Sequence, residues 1–195
     1  MQKLILDCSG LFYEATADEF SKSPEEVFKF WNKGSVLAEV VWAIRKFRPD
    51  VIITRFPTTG EGGHGQHTAS PIIAVEAYTA AADPKRFAEQ LKYVQPWPAK
   101  RVFTNSLMNF GTTNTTNENQ LKIMIGQYNT LLGYSYGEIA ALSRSMHRCQ
   151  GMGTALQRGL HKEYFQLLNG SPAEKDLFDE LELSWKRYAD AKHYS

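Results

Sequence analysis

An uninterrupted apolar run, DVIITR at Asp50–Arg55, places the strongest constraint on the fold. It lacks polar alternation, which is typical of a strand buried on both faces of a parallel sheet. Before it, Pro24–Arg48 predicts a helix with Ser23 as its N-cap. After a glycine-rich loop, a second helix is expected from about residue 67 to 82, and AKRVFTNS at Ala99–Ser106 supplies a second strand. This alternation predicts an α/β fold, with a Rossmann-like parallel sheet flanked by helices.

The two ends of the chain are less constrained. KLILDC, near the N-terminus, is compatible with a strand, but apolar residues up to Ala15 also fit one helix face, and we favour the helix. Residues 172–195 form a charged tail that we expect to be helical. A length of 195 residues fits one domain with its own core, so a single α/β domain over 1–195 is predicted.

Composition excludes several classes of partner. With 22 Lys and Arg against 21 Asp and Glu and no basic block, the chain has no electrostatic footprint for nucleic acid. No apolar run is long enough to span a bilayer, and the first residues lack the pattern of a signal peptide. The cytoplasm is the default compartment, with export expected only if the chain belongs to a larger exported parent. Two cysteines, Cys8 and Cys149, do not make a disulfide framework.

The loop after the first predicted strand, FPTTGEGGHGQHTAS at Phe56–Ser70, carries the candidate chemistry. Its glycines, Gly63 among them, allow close backbone approach to a ligand, but the terminal Gly-Lys-Ser/Thr of a phosphate loop is missing. Two histidines, His64 and His67, lie near the start of the following helix, where they are suited to bind a metal or, alternatively, to be exposed or to cap the helix. The carboxyl end of a parallel strand favours a binding site. Two charged residues, Arg55 and Glu61, flank the loop. Arg55 can bind a carboxylate or phosphate of a substrate, or it can pair with Glu61 or another nearby acid, and we favour the structural role for both residues.

A third histidine, His147, lies late in a helix that Ser135 and Glu138 open with a capping box. His147 can interact favourably with the helix dipole at the C-terminal end of the helix, or it can contact a substrate or an oxyanion. On this helix Ile139, Leu142, Met146 and Cys149 form the apolar face, and His147 lies off that face.

The segment RPDVIITRFPTTGEGGHGQHTAS resembles the second signature of the PIG-L/LmbE-like zinc N-deacetylases, and GEIAALSRSMHRCQG is similar to the closing helix of that family. The resemblance, from about residue 21 to 170, implies a Rossmann-like zinc hydrolase for N-acetylglucosamine-type small molecules. It implies that His67 is a zinc ligand, that His64 and His147 assist at the reacting carbonyl, and that Gln150 lies at the pocket. Arg55, Glu61 and Gly63 are then candidate substrate contacts.

The family's first signature, Ala-His-Pro-Asp-Asp-Glu, does not occur in the sequence; the one acid near a possible first strand is Asp7. Two zinc ligands and the general base are therefore missing. The resemblance implies a fold that is incomplete at the N-terminus and inactive in this form, either as a piece of a larger enzyme or as a divergent member that has lost the metal. A metal site built from His64, His67 and either His147 or Glu61 remains chemically allowed. The alternative function is a non-catalytic α/β module, for which an open sheet edge would favour a homo-oligomer.

Overall fold

A five-stranded mixed sheet forms the centre of the molecule. The computed structural model describes residues 3–6, 21–60, 63–106, 120–146, 155–156 and 158–183. The sheet has the order β1-β2-β3-β7-β4, and a separate hairpin pairs β5 with β6. The strands are β1 (Lys3–Leu6), β2 (Val51–Thr54), β3 (Arg101–Ser106), β4 (Gln120–Met124), β5 (Tyr128–Asn129), β6 (Tyr134–Ser135) and β7 (Lys162–Gly170).

The direction of the strands confirms the α/β class and corrects the expectation of a parallel sheet. β2 and β3 run parallel, as predicted, and β1 pairs in parallel with β2. β7, however, runs antiparallel to both β3 and β4, with a register shift between Val102 and Phe103. The prediction of a helix near the N-terminus is wrong for residues 3–6, which form a strand. A short apolar run is compatible with either a helix or a strand, and here the pairing with β2 selects the strand. Residues 7–20 lie outside the described residues.

Within the described ranges, four α-helices accompany the sheet: α1 (Pro24–Phe30), α2 (Lys33–Phe47), α3 (Gly65–Ala82) and α4 (Tyr136–Ser145). The single helix predicted over 24–48 is therefore divided in two. Trp31 adopts an extended backbone with its side chain buried, and the Asn32 side chain accepts a hydrogen bond from the Ser35 N–H at 3.1 Å, which caps the new helix. In the described part of the chain, no helix combines the length and apolarity needed to cross a bilayer.

Each face of the sheet has its own core. Ile52 and Val102 pack against α1, α2 and the alanine-rich α3. Val51, Ile53 and Phe103 face the other way, toward a segment that contains Leu177. Within 172–183 this segment forms bends and turns, so the predicted helix is wrong there, and residues 184–195 lie outside the described residues. The Asp179 carboxylate accepts from the backbone N–H groups of residues 174 and 175, and such local bonds compete with helix formation.

Two arginines are buried inside these cores. Arg45 of α2 donates to five backbone carbonyls between Ala80 and Phe87 and to the Gln90 Oε1, which ties the end of α3 and the following loop to α2. Arg101 of β3 is 1% exposed and donates from Nη2 to Ser171 and to the Asp179 carbonyl. Among the described residues, its Nε and Nη1 have no hydrogen-bond partner.

Residues 125–146 form a small unit of the hairpin and α4, here called the projecting unit, whose two strands pair only with each other among the described residues. Its capping box is complete: Ser135 accepts from the Glu138 N–H at 3.2 Å, and the Glu138 carboxylate accepts from the Ser135 N–H at 2.9 Å. The Ser135 N–H first, and then Arg158, whose Nε lies 2.6 Å from the carboxylate, hold the pKa of Glu138 below its usual range. This pairing fixes the 158–161 segment to α4.

Candidate functional site

The loop between β2 and α3 brings His64 and His67 together at the carboxyl end of β2. α3 begins at Gly65, two residues earlier than predicted, with His64 at the N-cap position. The two imidazole centroids are 5.3 Å apart and their planes are nearly perpendicular, at 82°. The His64 imidazole makes no cap hydrogen bond, so its side chain does not cap the helix. His64 is exposed and His67 is half-buried.

The start of α3 is held in place by a close approach to the chain before α1. The Gly65 N–H donates to the Ser21 carbonyl at 2.7 Å. A Cβ at position 65 would collide with the Ser23 carbonyl and lie 2.9 Å from Val27. Gly63 serves a different purpose, because its φ of +84° is a left-handed conformation that other residues rarely adopt. Gly63 and Gly65 therefore determine the backbone conformation of the loop that positions the two histidines.

Phe56 supports His67 directly, a contact that sequence reasoning did not predict. The two rings are stacked, with centroids 4.0 Å apart and planes only 6° from parallel. The Phe56 carbonyl accepts hydrogen bonds from Thr54 Oγ1 and from Thr104 Oγ1, both at 3.1 Å and both from buried side chains. Hydrogen bonds from β2 and β3 thus hold the backbone of Phe56 in place, and the Phe56 ring covers one face of the His67 ring. The sequence signal that could have predicted this contact is an aromatic residue, Phe56, two positions after the end of β2.

Arg55 belongs to a second polar cluster. Its guanidinium donates to Asn105 Oδ1 and lies 3.9 Å from the Glu163 carboxylate. Asn105 Nδ2 in turn donates to Glu163 Oε2 at 2.6 Å. Because successive residues of β3 point to opposite faces, this cluster lies on the side of the sheet away from Thr104. Arg55 therefore has the predicted structural role, with Glu163 as the nearby acid and Asn105 as a further partner; Glu61 lies outside the described residues.

The two histidines fit a metal ion only in part. Two imidazoles that ligate one tetrahedral zinc, each at about 2.0 Å, would place their ring centroids roughly 5 Å apart, a separation that an ordinary edge-to-face contact of two rings also gives. A catalytic zinc takes three protein ligands. Among the described residues, no group of three or more His, Cys, Asp or Glu is placed to hold a metal. The described residues therefore do not form the complete centre that the resemblance implies.

Two further predicted site residues, His147 and Gln150, lie outside the described residues. α4, which leads toward them, ends at Ser145. Their assignments as an oxyanion contact and a pocket residue stay predictions, as does the substrate contact at Gly63.

Comparison with known proteins does not identify a family. No protein-family model matches the sequence, and no curated protein matches it. Among solved structures, the chain is similar to the crystal structure of the conserved protein TT1542 from Thermus thermophilus, with a TM-score of 0.41 and 17% sequence identity. The match covers 80% of this chain, which spans 63% of the other protein. A likeness this distant carries no functional argument.

Proposed function

We propose that the chain is a zinc-binding domain of the N-deacetylase type, in which His64 and His67 bind the metal together. The observation that supports this is the perpendicular pair of rings 5.3 Å apart, delivered by a loop at the carboxyl end of β2. That edge is where α/β sheets bind ligands. The stacked Phe56 ring restricts the orientation of His67, and a restricted ligand loses less freedom when it binds.

The substrate class in this proposal comes from the sequence resemblance alone: a small N-acetylated, sugar-type molecule. Amide hydrolysis at a metal requires a third ligand and a carboxylate that takes the proton of the attacking water. Among the described residues, neither group lies with the histidine pair. We therefore propose metal binding without turnover for this chain, and we derive no catalytic step through the metal.

Zinc titration by isothermal calorimetry tests the proposal directly. We expect one zinc per chain, and at least tenfold weaker binding in His64→Ala and in His67→Ala. His161→Ala is the matched control, because His161 lies just before β7 and its backbone carbonyl is engaged by the N–H groups of Ile125 and Gly126, which the substitution leaves in place. A wild-type chain that takes up no zinc would refute the proposal, as would equal losses in all three variants.

An activity assay separates metal binding from catalysis. With zinc added, we expect no release of acetate from N-acetylglucosamine derivatives above the rate in buffer. Turnover that disappears in His67→Ala would mean that the chain supplies the remaining groups itself, and the proposal of an inactive form would then be wrong.

A second candidate function is a non-catalytic module that associates with another subunit. The observation that favours it is the exposed apolar surface of the projecting unit between β4 and β7. This function does not require zinc, so the calorimetric experiment also separates the two candidates.

A further inference from the structure

The sequence contains one Asn-Gly pair, Asn169 followed by Gly170, and it lies at the end of β7. Both residues are exposed, as is the following Ser171. An asparagine side chain has an electrophilic amide carbon, and the backbone nitrogen of the next residue is a nucleophile within reach of it. Glycine in the second position lacks the Cβ that would obstruct this approach. The pair therefore has the chemistry for deamidation, provided that the folded chain allows the two groups to meet.

The two reacting groups are already in contact in the structure. The Gly170 N–H donates a hydrogen bond to Asn169 Oδ1 at 2.8 Å, so the nitrogen lies within about 4 Å of the carbon that carries this oxygen. Intramolecular attack needs the reacting atoms about 3–3.5 Å apart, and the exposed Asn169 side chain has room to rotate by the remaining amount. Gly170 has a φ of +97°, a left-handed conformation that glycine adopts readily, so this arrangement belongs to the end of the strand.

Two other asparagines in the described part of the chain lack this arrangement. Asn105 is buried and bonds to charged side chains of neighbouring elements. Asn129 Oδ1 accepts from the backbone N–H groups of the second and third residues after it, at 3.0 and 3.1 Å. The residue that follows Asn129 is Thr130, whose branched side chain obstructs attack by its own nitrogen. The Asn169 side chain, in contrast, bonds to the attacking nitrogen itself.

We propose that Asn169 is a site of spontaneous deamidation in the folded chain, and that its isoaspartyl product loosens the segment after β7. The Gly170 nitrogen attacks Asn169 Cγ, the Cγ–Nδ2 bond breaks, and the amide group leaves as ammonia with the proton of the Gly170 N–H. The resulting five-membered succinimide takes up one water molecule. Opening at Cγ gives aspartate, whereas opening at the Asn169 backbone carbonyl gives an isoaspartyl linkage, in which the main chain is longer by one carbon atom. Water is the co-reactant, and the site does not depend on the histidine pair or on zinc.

The added carbon atom enters the chain where β7 pairs closely with β3. Gly170 lies opposite Arg101 in this pairing, and a Cβ on Gly170 would collide with the Lys100 carbonyl. The next residue, Ser171, donates its N–H to the same carbonyl at 3.1 Å. A longer main chain in this confined space displaces Ser171 from Lys100.

Ser171 also holds the buried Arg101 side chain. Arg101 Nη2 donates to Ser171 Oγ at 3.0 Å and to the Asp179 carbonyl at 2.9 Å. When Ser171 moves, one of these two bonds is lost, and with it a link between β3 and residues 172–183. That segment contains Leu177, which packs on one face of the sheet. The aspartate product keeps the length of the main chain, so it leaves these contacts in place.

Peptide mapping by mass spectrometry of the full chain, incubated for days at mildly alkaline pH, tests the modification. Trypsin releases residues 163–175, in which Asn169 is the one asparagine, and residues 123–144, in which Asn129 is the one asparagine. We expect Asn169 to convert to aspartyl and isoaspartyl forms at least about tenfold faster than Asn129. A synthetic peptide of residues 163–175 gives the rate without the fold, and the folded chain should match or exceed it. Equal rates at the two asparagines would overturn the proposal, as would a folded chain that is about tenfold or more slower than the peptide.

Hydrogen exchange of the incubated protein tests the structural effect. Amides of residues 171–181 should exchange faster in the incubated wild type than in fresh protein. Asn169→Gln, incubated in the same way, is the matched control, because its longer side chain has to close a less favourable six-membered ring; its exchange should not change. Asn169→Asp introduces the charge without lengthening the main chain, and it should exchange like fresh wild type. Unchanged exchange in deamidated wild type, or the same increase in Asn169→Asp, would refute the role of the isoaspartyl linkage.

Discussion

Replacing Arg45 by methionine should cost about 3–5 kcal/mol of unfolding free energy. Arg45 donates six hydrogen bonds, five of them to backbone carbonyls at 2.8–3.2 Å. Methionine fills the volume but leaves every acceptor without its donor. A buried acceptor left unpaired costs about 1–3 kcal/mol, and the half-buried carbonyls after residue 82 recover part of that from water. Against a total stability of about 5–15 kcal/mol, the loss is large.

Arg101→Met is the matched comparison, because Arg101 is equally buried but poorly paired. Its Nη2 bonds to Ser171 and Asp179, while its Nε and Nη1 find no partner among the described residues. The substitution removes two hydrogen bonds and also removes a buried charge with unpaired donors. Replacing such a group by an apolar side chain is often neutral or stabilising, so we expect a change within about 1 kcal/mol.

Urea unfolding followed by far-UV circular dichroism measures both variants. Arg45→Lys serves as an additional control: it keeps the charge but has three donors on one nitrogen, so it should fall between Arg45→Met and wild type. The reasoning is refuted if Arg45→Met loses less than about 1 kcal/mol, or if Arg101→Met loses as much as Arg45→Met.

Three further predictions concern the projecting unit and the site. Folding lowers the pKa of Glu138 below its ordinary 4.5, so its contribution to stability is present above that value and is lost as pH falls through the folded-state pKa; the melting temperature of the wild type should therefore fall more steeply below about pH 4.5 than that of Glu138→Gln. Gly126→Ala should cost about 1–3 kcal/mol in thermal unfolding, because its Cβ would collide with the Gly159 carbonyl, and no loss would contradict this packing. Phe56→Leu should weaken zinc binding several-fold relative to Phe56→Tyr in calorimetry, whereas equal affinities would show that ring stacking on His67 does not matter.

Local signals explain what the sequence predicted well. β2 was recognisable from its unbroken apolar run, and the start of α4 from Ser135 and Glu138 three residues apart. The proximity of His64 and His67 followed from their spacing at the start of a helix. In each case the residues that determine the structure lie within a few positions of one another.

The features that sequence reasoning missed depend on partners distant in the chain. β7 shows no regular alternation of buried and exposed residues, and its neighbours β3 and β4 lie well before it in sequence. The stacking of Phe56 on His67 relies on Thr104 from a different strand. The partners of Arg55, Asn105 of β3 and Glu163 of β7, are likewise distant from it in sequence. Such pairings are set by tertiary packing, which residue patterns alone do not encode.

The position of β7 has a consequence for synthesis of the chain. β7 is the last described strand to leave the ribosome, yet it lies between β3 and β4. Until residue 170 has emerged, β3 presents unpaired backbone groups along one edge and β4 has no neighbour in the main sheet. A nascent chain at this stage is exposed to aggregation and to chaperone capture. A chain that ends before residue 162 would therefore retain the pairing of β1, β2 and β3 but leave β4 without its partner in the main sheet.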